Sequence, residues 1–164
     1  CACCGEEFTG LPMALGFACP AGWEELDEAT RKDSFLDSDF CVIARPSGAV
    51  ERYICGLLPL DVPEIDAEFH FTVWLSVSEQ GSHSYLAVFG GGEYTEPGCF
   101  ACIMHQIPDF EGSLGLKANG WFQPDGLRPL VELQDGDHSL VKAQVQWVDL
   151  SQVERWAAIM HSGA

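Results

Sequence analysis

Between Phe69 and Ser78 apolar and polar residues alternate. Phe69, Phe71, Val73, Leu75 and Val77 fall on one parity, and His70, Thr72, Ser76 and Ser78 on the other. Successive side chains leave a strand on opposite faces, so this period of two predicts a half-buried strand with its odd positions turned inward. Only Trp74 breaks the polar parity. Residues 39–45 read as a second strand, Pro46-Ser47-Gly48 as a turn, and 52–60 as the returning strand of a hairpin. An acidic connection over 61–68 leads into the central strand, which Gly81-Ser82 closes.

Residues 84–89 form a short apolar run before Gly90-Gly91-Gly92. That triplet lacks the flanking residues of a phosphate-binding turn and reads as a flexible loop. Residues 99–107 are apolar enough to be buried, a short strand is expected at 113–117, a turn at 121–126 and a last strand at 130–133. Helices are fewer. Trp23 and Leu26 among Glu24, Glu25, Asp27 and Glu28 predict a short amphipathic helix, and 139–146 a second. Ser151 and Glu154 have the spacing of a capping box ahead of the stripe Val153, Trp156, Ala157, Met160, which predicts a C-terminal helix from about Gln152. Strands separated by turns rather than by helices predict an α+β fold: an antiparallel β-sheet with helices packed on one face, in a single domain spanning 1–164.

Charge narrows the partners. Eight Lys and Arg against 25 Asp and Glu leave a net charge of −17. A field of that sign repels phosphate backbones and anionic headgroups, so nucleic acid and membrane surfaces are not expected partners, whereas cationic proteins and metal ions are favoured. No apolar run approaches the ~20 residues of a membrane span. The eight cysteines lie partly within apolar runs, where the residue behaves as a small hydrophobe, so a reducing cytoplasm is expected. The chain starts at Cys1 rather than methionine, which leaves an upstream segment open.

Several stretches recur together in one order. They are Cys1-x-x-Cys4-Gly5 with Leu11-Pro12, Ser38-Asp39-x-Cys41-x-Ile43, and Val73-Trp74-x-Ser76-x-Ser78. Gly126-Leu127-Arg128-Pro129 with Glu132-Leu133, and then Asp137-His138-x-Leu140, complete the set. In this order and spacing the chain resembles the bacterial family catalogued as domain of unknown function 2199. The resemblance implies a compact, single-domain, cytoplasmic bacterial protein without an assigned activity. The chain departs from it at four places. Phe8 stands where the family usually has histidine, and Cys55 where it has arginine before Gly56. Phe71-Thr72 replaces Trp-Gly, and Ser139 replaces proline.

Three chemistries are expected to compete. Cys1-x-x-Cys4-Gly5 forms a zinc-knuckle-like turn within 1–12 that supplies two thiolate ligands of a tetrahedral zinc site, with Cys3 as a substitute. Cys99 and Cys102 are candidates for the other two ligands, as are Cys41 and His138. The competing reading is a terminus carrying free thiols. A cysteine-dependent hydrolase or transferase would use Cys41 as nucleophile and His138 as base, oriented by Asp39 or Asp137. Against it, Cys41 sits between Phe40 and Val42 on a strand, where a thiol is usually inert. Finally, a non-enzymatic binding or regulatory module would use the acidic surface, with His70 and Trp74 lining a shallow pocket unless a second layer covers Trp74.

Overall fold

A computed structural model describes residues 10–93, 96–134 and 136–162. The predicted central strand is β5 (Ala67–Val77), following β1 (Ala14–Gly16), β2 (Phe35–Leu36), β3 (Phe40–Ala44) and β4 (Val50–Val62) in the chain. Phe69, Phe71, Val73 and Leu75 are fully buried, as their parity requires. The hairpin of β3 and β4 forms as expected, pairing Phe40–Ala44 with 50–54. β4 then runs further than the pattern suggests and pairs with β5 from Arg52↔Val77 to Val62↔Ala67. The acidic connection therefore shrinks to a single turn at Pro63–Ile65.

The predicted antiparallel sheet with helices on one face is corrected in two respects. First, the sheet closes on itself. After β5 come β6 (Gly98–Ile103), β7 (Lys117–Trp121) and β8 (Leu130–Leu133), each antiparallel to its predecessor, and β8 returns to β4. Five strands in an up-and-down order put the first and last in the same direction, so the closing contact, Leu57↔Leu130, must be parallel. Closure needs close approach: a Cβ on Gly56 would sit 2.7 Å from Val131 Cγ2. Pro59 is tolerated in β4 because Leu57 N–H already points toward Pro129, and beyond that point the same edge has no strand to receive a donor.

Second, both faces of the sheet are covered. α2 (Glu79–Phe89), α3 (Ser139–Val145) and α4 (Leu150–Ser162) send Tyr85, Val88, Leu140, Val141, Val153 and Trp156 into the main core with the odd residues of β5. On the opposite face Trp74 gathers a smaller core of Cys41, Ile43, Tyr53 and Cys55 under Trp23 and Leu26, which precede α1 (Glu28–Lys32). The one apolar residue on the polar parity thus recruits a second layer.

Local boundaries shift for identifiable reasons. The first helix starts after Leu26, not at Trp23, because Asp27 caps it by accepting from Thr30 N–H at 2.8 Å. Residues 79–89 are helical rather than the end of a strand and an apolar run. Ser78 caps that helix through Gly81 N–H, and Gly90 N–H bonds back to Leu86, so the glycine triplet terminates α2. The strand expected at 113–117 begins at Lys117 instead. α4 begins at Leu150, two residues early, with Gln152 Oε1 accepting from Asp149 N–H at 3.1 Å.

Candidate functional site

Cys41 and His138 belong to different parts of the fold. Cys41 is fully buried in the smaller core, where burial first, and then Cys19, Glu51 and Asp37, push its thiol up to about 12. His138 caps α3: its Nδ1 accepts from Leu140 N–H at 3.1 Å, so Nε2–H donates to the Glu111 carbonyl at 2.9 Å. Leu140 and Val141 of that helix enter the main core on the other face. Asp137 reaches only Lys142, at 4.0 Å. A thiol at about 12 is ionised in roughly one molecule in ten thousand at pH 8. Iodoacetamide at that pH is therefore expected to leave Cys41 unmodified in the folded protein while the half-buried Cys19 reacts, with both labelled in urea. Peptide mapping reads the outcome, and prompt labelling of folded Cys41 would restore it as a nucleophile.

The other predicted residues separate as well. Cys1, Cys3 and Cys4 lie outside the described residues. Cys99 and Cys102 leave β6 on opposite faces, Cys99 packing against the main core and Cys102 on the outer side. Among the described residues no three His, Cys, Asp or Glu side chains stand close enough to hold a metal ion. Trp74 is buried and its Nε1–H donates to the Phe17 carbonyl at 2.9 Å, while His70 lies half-buried at 3.4 Å from Glu68. The two share a face, and Trp74 is covered there by the second layer that holds Trp23 and Leu26.

Asp39 has a different partner from the one expected. Its Oδ1 accepts from Arg128 Nε at 2.7 Å, and Arg128 Nη2 donates to the Ser38 carbonyl at 2.9 Å. Gln123 Nε2 holds the Arg128 carbonyl at 2.5 Å. This joint ties two of the stretches behind the family resemblance, 38–43 and 126–129, across nearly ninety residues of chain. Beneath it Cys55 is buried, which pushes its thiol up to about 11 against the opposing pull of Arg128. In a chain with cysteine at position 55, Arg128 is the cation that holds Asp39.

Most cations are used in this way. Arg45, Arg52, Arg128, Lys142 and Arg155 pair with Glu51, Glu79, Asp39, Asp137 and Asp109. Arg31 is tied to the carbonyls of Trp23, Glu24 and Leu26. Lys32 and Lys117 have neither an ion pair nor such a carbonyl contact among the described residues. A shallow depression of about 550 Å³ at the β4–β5 turn is lined by Asp61, Asp66 and Glu68 without a Lys or Arg. On the outer side of β6–β8, Phe100, Trp121 and Leu130 are exposed, and Trp121 Nε1–H donates to Glu132 Oε2 at 2.6 Å. Trp121 falls in the expected turn at 121–126 and Phe100 in a run apolar enough to be buried, so only the register of β6–β8 shows that they share an exposed surface.

Fold and surface together define a small, acidic α+β protein with a closed mixed sheet and no described catalytic grouping. The chain belongs to the family described as "Uncharacterized protein conserved in bacteria (DUF2199)", whose model matches residues 1–148. No curated protein and no solved structure matches it. No described helix is long and apolar enough to cross a membrane.

Proposed function

We propose that this protein is a non-enzymatic binding module whose acidic surface engages a cationic protein partner. The observation that carries the reading is the disposition of its cations. Six of the eight are consumed in internal contacts, which leaves a net −17 field with almost no free positive group to interrupt it. Such a field steers a basic partner and turns away phosphate backbones, so nucleic acid is not part of the proposal. The five described cysteines are free thiols, which suits a reducing bacterial cytoplasm. A thiol enzyme would require Cys41 to meet a base, whereas Cys41 packs in the smaller core and His138 caps a helix that packs on the main one.

In-cell cross-linking followed by capture at 50 mM and 500 mM NaCl tests the proposal. A partner of net positive charge is expected, with affinity for the purified protein falling at least about tenfold between those salt concentrations. A tight partner insensitive to salt, or turnover of any substrate by the purified chain, would overturn the reading.

A further inference from the structure

The outer side of β6–β8 has the wrong composition for a solvent face. Along these strands Ala101, Ile103, Ala118, Val131 and Leu133 point inward and are buried, so the alternate positions should be polar. Instead Phe100 is 54% exposed, Trp121 41% and Leu130 38%. Register makes them contiguous. Gly98, Trp121 and Leu130 form one cross-strand row, and Phe100, Asn119 and Glu132 the next.

Trp121 is also held in a defined pose. A Cβ at position 98 would collide with the Gly120 carbonyl and stand 3.1 Å from Trp121 Cε3, so the indole rests on β6 where a glycine leaves room. Covering that glycine explains why a large ring sits there; it does not explain Phe100 one row away. The indole N–H is fixed by Glu132 Oε2 at 2.6 Å, which places a carboxylate at the ring edge. Glu132 has no Lys or Arg partner among the described residues. An exposed indole with an adjacent carboxylate is a receptor for a planar cation, which can stack on the ring and pair with the oxygen.

Resting on the binding role proposed above, we infer that this face is where the partner docks, and that it takes an arginine side chain of a basic protein segment between Trp121 and Glu132, with Phe100 as the neighbouring apolar anchor. The charge argument selects the occupant: a −17 chain presents here an aromatic row and one uncompensated carboxylate, with Lys117 marking the far end of the face. Guanidinium is favoured over ammonium because it is flat, weakly hydrated and able to bond both carboxylate oxygens.

Nona-arginine and nona-lysine peptides, titrated into the ¹⁵N-labelled full chain at 50 mM NaCl, provide the test. The Trp121 indole N–H and the amides of 98–102, 119–121 and 130–132 are expected to shift, with the arginine peptide binding about fivefold or more tightly than the lysine one. Trp121→Ala and Glu132→Gln should each remove that preference, and Phe100→Ala should weaken both peptides alike. Glu132→Gln, at an exposed site, keeps the test available if Trp121→Ala disturbs the fold. Equal affinity for the two peptides, or shifts confined to the acidic turn at 61–68, would overturn the face and leave the acidic binding role standing. Failure of both peptides to bind would overturn both. A concentration-dependent dimer abolished by Phe100→Ala would assign the face to a second copy and overturn the arginine reading.

Discussion

Trp156→Ala is expected to lower the free energy of unfolding by about 4 kcal/mol, within the range for removing a fully buried tryptophan from a packed core. The ring is fully buried, with centroids 5.0 Å from Phe69, 4.8 Å from Phe71 and 5.9 Å from Phe110. Its Nε1–H donates to Asp109 Oδ2 at 3.1 Å, the same oxygen that holds Arg155. Alanine would empty the space between the last helix and the central strand and release the 105–113 loop from that helix. Most domains have only about 5–15 kcal/mol to lose, so the variant should melt far earlier. Because Trp156 and Phe71 touch, Phe71→Ala in the same chain should be non-additive by more than about 0.5 kcal/mol. Urea unfolding of the two single variants and the double variant measures both quantities. The family match ends at residue 148, so a loss below about 1.5 kcal/mol would make α4 an appendage rather than part of the core.

His105 should make the protein acid-sensitive in a defined window. The imidazole is buried and stacks on Phe17 with centroids 4.0 Å apart and planes at 12°. Its Nε2 has no hydrogen-bond partner among the described residues. Burial favours the neutral ring and lowers its pKa from 6.5 to about 4. Between those values the unfolded chain binds the proton more readily than the folded one. The contribution is therefore complete above pH 6.5, is lost as pH falls from 6.5 toward 4, and changes no further below. By pH 4.5 the loss amounts to about 2.5 kcal/mol. His105→Phe keeps a ring against Phe17 and removes the titration. The stability of the wild type relative to this variant should then fall by that amount between pH 7.5 and 4.5 in urea titrations. Carboxylates titrate in both proteins and cancel in the comparison; parallel curves would show that His105 is not the acid-sensitive group.

The failed and successful parts of the sequence reading differ in range. The local pattern places Ser78 in the strand, and 79–89 in the strand's end and an apolar run, because Gly81, Ser82 and Ser84 dilute any helical period. The helix is secured by Tyr85 and Val88 packing into the main core, a contact invisible in the local pattern. Cys41 and His138 were a reasonable pair by residue type, but type says nothing about which side of a sheet each occupies. His138 instead caps α3, since an imidazole just before the helix has backbone N–H groups within reach.

What the amino-acid order alone determined was direction and charge: odd residues of β5 inward, the β3–β4 hairpin, the Val153–Trp156–Ala157 stripe, and a net −17. Those follow from the fixed periods of strand and helix and from composition, which need no distant partner. Folding alone decided that β8 meets β4, that Arg128 holds Asp39, that His105 is buried, and that Phe100, Trp121 and Glu132 lie on one surface. Each of these depends on register between segments far apart in the chain, and register is set by how a closed ring of strands satisfies all its edges and both its cores at once.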